Sequence, residues 1–295
     1  MAERIAVLLD TDIGSDIDDA VALAYLLRQP RCELVGITTV TGDVARRAAC
    51  AQVVAAAAGR DDVPIHCGAS TFLVHGRGQP NVPQYSAIEH LPHRRDWPAN
   101  TAVDFMRRTI RQRPGQITLL SVGPLTNIAA LFVADPQIPP LLKAYVCMAG
   151  AFFVEPEKRE WNALVDPVAT AIVYGARPPR HVSLGLDVTN KCRLPADEVR
   201  RRFVPAPLNV VARMAEVWFA QRPYITFHDP LAAVVIFRPE LCQYADGLVR
   251  VPIGESDKLA GATLFSSEDP AARPHRVAKE VDPAAFFEEY FSVFQ

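Results

Sequence analysis

Ile5-Ala6-Val7-Leu8-Leu9-Asp10-Thr11-Asp12-Ile13-Gly14-Ser15-Asp16-Ile17-Asp18-Asp19-Ala20-Val21-Ala22-Leu23 is the stretch that decides how this chain folds. The apolar run Ile5 to Leu9 reads as a buried strand, and Ala20 to Leu27 carries a helical pattern. Between them, five aspartates fall within ten residues. A strand, a tight loop and a helix open an α/β unit, and such sheets gather ligands at the carboxyl ends of their strands. Aspartate also caps helices, so Asp16, Asp18 and Asp19 have a purely structural use available. Five exceed what capping requires, and Asp10 and Asp12 lie ahead of the turn. Clustered carboxylates repel one another unless something positive holds them. A hard divalent cation with oxygen ligands meets that need.

Outward from this unit the pattern repeats. Leu34 to Val40, Val63 to Cys67, Ile117 to Val122, Ala144 to Met148 and Val182 to Leu186 read as further buried strands. Helical patterns follow most of them: Val44 to Ala58, Thr101 to Gln112 capped by Asn100, and Pro167 to Tyr174. Alternation of this kind predicts an α/β fold with a mostly parallel central sheet and helices on both faces. Late helices are expected at Pro195 to Phe203, Leu208 to Ala220, His228 to Ile236 and from Pro283. Short strands are expected near Gly247 to Val251 and Arg276 to Val281. Gly68 to Pro98 lacks periodicity and is long for a plain connection, which marks it as functional or mobile. No linker or repeat interrupts residues 1–295, so one domain is expected.

With 49% hydrophobic and 22% charged residues, a sizeable core is possible. A net charge of −2 without a basic block argues against nucleic acid as a partner. No apolar stretch is long enough to span a bilayer and no signal-peptide pattern stands out, so a cytoplasmic protein is expected. The six cysteines are scattered without a C-x-x-C pair and read as reduced core thiols.

Each further polar cluster lies where a strand has just ended, or where a late helix begins. Asp43 follows the second strand, and Thr126 and Asn127 the fourth. Glu160, Asn162 and Asp166 follow the fifth, and His228-Asp229 opens a late helix. Parallel topology would bring these loops to one crevice. Taken singly, each has an ordinary use: Asp229 before Pro230 suits an N-cap, His228 a satisfied structural histidine, and Arg46 and Arg47 a solvated helix face.

Read together, five segments resemble the calcium-dependent nucleoside hydrolases, the inosine-uridine-preferring ribohydrolase family. They are Asp10 to Ala20, Gly36 to Asp43, Gly123-Pro124-Leu125-Thr126-Asn127, Glu160-Trp161-Asn162 with Asp166-Pro167, and His228-Asp229-Pro230. The resemblance implies hydrolysis of the N-glycosidic bond of ribonucleosides at a single Ca²⁺ site. It implies Asp12, Asp19 and Asp229 as carboxylate ligands and Thr126 as a backbone ligand. Asp12 would also accept the proton of the attacking water, and Asp10 would support the site from behind. Asp18, Glu160, Asn162, Asp229 and Asp43 would face the substrate, with His75 a pocket histidine like that of pyrimidine-cleaving members. His228 is the candidate acid for the departing base. The resemblance further implies nucleoside salvage and a homodimer or homotetramer.

This ligand set suits the chemistry. Breaking the glycosidic bond builds positive charge on the ribose, which carboxylates stabilise. Departures concern substrate detail: Asp43 stands where relatives often carry Asn, and Phe152 to Glu155 lacks the Asn some direct to the 5′-hydroxyl. Base recognition is expected from Gly68 to Pro98 and Arg213 to Phe227, with Trp218, Tyr224 and Phe227 available for stacking. Two rival readings share the acidic loop. One is a Mg²⁺-dependent phosphohydrolase built on Asp10 and Asp12, for which no downstream Lys and late Asp pair is found. The other is a catalytically silent metal- or ribose-binding relative.

Overall fold

The computed structural model describes residues 4–155, 158–253, 259–269 and 272–295. The first half alternates as its periodicity dictates: β1 (Ile5–Thr11), α1 (Asp18–Arg28), β2 (Cys32–Thr39), α2 (Val44–Ala57), β3 (Ile65–Cys67), α3 (Ala102–Gln112) and β4 (Ile117–Ser121). Next come α4 (Thr126–Ala134), α5 (Ile138–Leu141), β5 (Ala144–Met148), α6 (Trp161–Val165), α7 (Pro167–Ala176), β6 (His181–Leu184) and α8 (Leu186–Thr189). A two-stranded excursion follows, with β7 (Arg193–Pro195), α9 (Ala196–Arg202), α10 (Leu208–Phe219) and β8 (Tyr224–Thr226). The chain closes through α11 (His228–Val235), β9 (Cys242–Arg250), β10 (Leu264–Ser266), β11 (His275–Val281) and α12 (Pro283–Ser292).

Nine strands form one sheet in the order β10-β9-β11-β6-β5-β4-β1-β2-β3. From β11 to β3 every pairing is parallel, whereas β9 runs antiparallel to both β11 and β10. Alternate side chains of β1 enter opposite layers, because successive residues of a strand face opposite ways. Val7 and Leu9 pack with α1, α2, α11 and α12, while Ala6 and Leu8 pack with α3, α4 and α7. Helix α3 shows the matching helical logic, burying Ala102, Met106 and Ile110 at four-residue spacing. Its start differs from expectation: Thr101 occupies the cap position, and Asn100 takes a left-handed turn at φ +57°.

The chain lays β2 and β3 on one side of β1, then crosses to place β4 on the other. That reversal is the topological switch point, and loops leaving adjacent strands diverge there to open a crevice. The acidic stretch leaves β1 at this point.

Candidate active site

The loop from Asp12 to Ile17 is held by a buried cation. Arg47, wholly buried on α2, donates to the carbonyls of Asp12, Ile13 (3.1 Å), Thr41 (2.7 Å) and Gln79 (3.1 Å). It also donates to the Ser15 hydroxyl at 3.0 Å. Of the two arginines expected on a solvated helix face, only Arg46 is exposed, and it pairs with Asp43 at 3.3 Å. Gly14 turns the loop at φ +112°, where L side chains are disfavoured and a Cβ would also strike Val82.

The loop ends by bringing Asp18 and Asp19 against Asp229, in the first turn of α11. One carboxylate oxygen from each lies within 4.8 Å of the others. Asp18 accepts the backbone N–H of Asp229 at 3.1 Å, and Asp19 accepts the Thr11 hydroxyl. Burial and mutual repulsion hold all three carboxyls well above the usual range. Burial likewise pushes Asp16 up to about 6. Capping does not explain the cluster. The cap of α1 is Ile17, with no side-chain cap bond, and that of α11 is Phe227.

Asp12 stands beside this trio and is also raised by burial, with the Arg47 charge opposing the rise. Its Oδ2 accepts from Gln79 Nε2 at 2.7 Å, and Gln79 in turn accepts the indole N–H of Trp161. These groups line a cavity of about 600 Å³, which also receives Glu160, Asn162, Trp218, Arg222 and His228. A volume of this order suits a nucleoside-sized ligand.

Local geometry sets the acceptors that face inward. Glu160 caps α6, accepting the backbone N–H of Asn162 (2.6 Å), Ala163 (2.9 Å) and Gly150 (3.1 Å). Burial nevertheless pushes its carboxyl up to about 7. Asn162 donates both amide hydrogens to backbone, at Val122 (2.7 Å) and Met148 (3.1 Å). Among the described residues no donor reaches its Oδ1, so this oxygen is left for a ligand. The Nδ1 of His228 bonds the Thr189 hydroxyl at 2.7 Å, and loss of water lowers the imidazole to about 4. His228 is thus neutral at neutral pH.

Several expectations need correction. Thr126 does not line the cavity: it begins α4, its carbonyl lies inside the first helical turn, and its hydroxyl bonds Asp166 at 2.8 Å. The residue that does line the cavity after β4 is Val122. Asp43 lies outside as well, capping α2 through Arg46 N–H at 3.0 Å. His75 is exposed on the long loop and is not part of the cavity wall. Phe227 is core, packed edge-on against Phe287 and Tyr290, and the Tyr224 ring lies under Arg193. Of the three aromatics named for stacking, Trp218 alone reaches the cavity. Asp10 sits behind it, accepting Thr38 (2.5 Å) and Asn127 (2.8 Å) while its buried Oδ2 has no partner among the described residues.

Gln79, Val122 and Trp161 were not singled out as site residues. The only sequence signals were the uncommitted length of Gly68 to Pro98, and the places of the other two beside Gly123 and Glu160.

Comparison with known proteins agrees with this geometry. The family model described as inosine-uridine preferring nucleoside hydrolase matches residues 7–288. The chain belongs to this family. A non-specific ribonucleoside hydrolase, RihC, of Salmonella enteritidis PT4 is 31% identical, covering 100% of this chain and 99% of its own. Uridine nucleosidase 1 of Arabidopsis thaliana is 29% identical over 83% of this chain and 77% of its own. The solved plant nucleoside hydrolase PpNRh1 superposes with a TM-score of 0.86 at 25% identity, covering 98% of each chain. As a nucleoside hydrolase, the chain is an N-glycosidase that hydrolyses ribonucleosides. The phosphohydrolase alternative falls with this assignment.

Proposed function

We propose that the cavity holds one Ca²⁺ and that Asp12 accepts the proton of the attacking water. The observation that carries this is the Asp18–Asp19–Asp229 trio, buried with its oxygens within 4.8 Å and bonded to no Lys or Arg side chain among the described residues. Buried like charges so arranged call for a cation, and an all-oxygen donor set favours a hard one. Asp12 adjoins the trio, and the backbone oxygen at this site would come from Val122 rather than Thr126. Bound there, the ion would acidify water and orient the ribose hydroxyls.

The remaining groups follow from their bonding. Asn162 Oδ1 and Asp18 accept the sugar hydroxyls, and Glu160 holds the ribose wall through its three backbone contacts. With Nδ1 tied to Thr189, His228 would offer Nε2–H to the departing base as a neutral donor, which assists an already good leaving group less than a poor one. Trp218 would stack on the base.

The test is reducing-sugar release from inosine, adenosine, guanosine, uridine and cytidine, with Ca²⁺ and after chelation. Release that chelation stops and Ca²⁺ restores supports the reading and ranks the bases. Undiminished release after exhaustive chelation overturns the metal assignment. We also propose a reducing, cytoplasmic setting, supported by six buried and unpaired cysteines. Nucleoside salvage and a homodimer or homotetramer complete the proposal, the last checked by sedimentation.

A further inference from the structure

A second cavity, of about 670 Å³, opens at the opposite edge of the sheet. Ile5 of β1, Thr118 of β4, Ala144 of β5 and His181 of β6 mark its floor at the amino ends of the strands whose carboxyl ends bear or flank the active site. The seven residues of β1 separate the two by about 20 Å, at the usual rise of a strand.

Its charge is the reverse of the active site's. Arg180, Arg273 and Arg276 line it against one carboxylate among the described lining residues, Asp246, and Lys143, which lines it too, is already engaged. That carboxylate is already taken by Arg276, through bonds of 2.8 and 3.1 Å. Arg273 donates to the Ser267 carbonyl at 2.8 Å, which satisfies a hydrogen but cancels no charge. Arg180 has no hydrogen-bond or ion-pair partner among the described residues, and its backbone is left-handed at φ +48°. A non-glycine residue keeps that conformation at some cost, a common mark of functional positions. The inner wall is apolar, formed by Val146, Val182, Val235 and Ile236.

An excess of positive charge in a protein whose net charge is −2 points to an anion. Arginine forks suit phosphate in particular. The volume and the apolar wall exceed what a bare phosphate needs and suit a ring system attached to one. We propose that this cavity binds an organic phosphate of nucleotide size, at a site distinct from the hydrolytic centre and independent of the chemistry assigned there.

Calorimetric titration of the chelated full-length protein with AMP and with inorganic phosphate tests this, comparing wild type with Arg180→Glu/Arg273→Glu and with Arg180→Ala. Both side chains are exposed, and retained nucleoside hydrolysis after Ca²⁺ is returned reports that the variants fold. Saturable AMP binding is expected, weaker by at least about tenfold in the double variant and by less in Arg180→Ala. Inorganic phosphate should bind more weakly than AMP. Absence of saturable AMP binding, or equal affinity in wild type and double variant, would overturn the site. Phosphate binding as tight as that of AMP would overturn the organic part of the assignment.

Discussion

Replacing Asp229 by Asn should stabilise the metal-free enzyme while destroying its activity. Oxygens of Asp18, Asp19 and Asp229 lie within 4.8 Å of one another, so at an effective dielectric near 20 each ionised pair repels by about 3.5 kcal/mol. Asp229 takes part in two such pairs, about 7 kcal/mol or more were all three ionised. The carboxyls are held well above their usual range, so bound protons relieve much of this. The bond from Asp229 to Asp18 uses the backbone N–H and survives the substitution. A net gain of about 1–3 kcal/mol at pH 8 is therefore expected, or a Tm rise of roughly 2–8 °C. Saturating Ca²⁺ should shrink that difference. A ligand at a hundredfold its Kd adds about 2.7 kcal/mol to wild type, and the variant, short of one carboxylate, gains less. Scanning calorimetry at pH 8, with EDTA and then with Ca²⁺, measures both effects, and reducing-sugar assays should show turnover down by about 10³ or more. An Asp229→Asn protein that melts below wild type in EDTA would refute the view that these carboxylates form a strained, cation-seeking cluster.

Three further outcomes are expected. Gly123→Ala places a Cβ 2.9 Å from the backbone nitrogen and Oδ1 of Asp12 and 2.8 Å from Val40, so kcat should fall about 10²-fold for a misplaced carboxylate; unchanged kcat would show that Asp12 need not sit where it does. His228→Ala should slow inosine hydrolysis far more than that of a p-nitrophenyl riboside, whose leaving group needs no proton, and equal losses would remove His228 from the acid role. Burial raises Asp10 and Glu160 from 3.8 and 4.5 to about 7, so the folded state holds their protons more tightly than the unfolded chain. Their contribution to stability is complete below about pH 4 and is lost as pH rises through about 7, so chelated protein should resist urea better at pH 5 than at pH 8. Resistance that is flat or rising over that interval would contradict it.

The parallel half of the sheet was legible because each strand and helix announces itself locally. Ile5 to Leu9 is apolar, Ala102, Met106 and Ile110 repeat every four residues, and Gly or Pro closes most segments. The long loop and the carboxyl-terminal third were less so. β10 is an edge strand and β9 its antiparallel neighbour, both with exposed residues, and their pairing carries little local signal. The same division runs through the site. Asp12, Asp18, Asp19, Asn162 and Asp229 stood out because their residue types and neighbours are unusual in themselves. By sequence Arg47 belongs with Arg46 on a solvated helix face, since nothing within α2 reports the carbonyls that converge on it from three other segments.

Alone, then, the sequence determined the class of fold and the concentration of carboxylates after β1, since both are properties of short stretches. It could also nominate the partners of those carboxylates. Only tertiary structure decided which side chains meet. Gln79 crosses from the long loop to Asp12, Val122 replaces Thr126 at the cavity wall, and Asp43, His75, Tyr224 and Phe227 lie outside it. The physical reason is that a contact between residues tens of positions apart depends on strand order and on the direction of each loop. No local pattern encodes either.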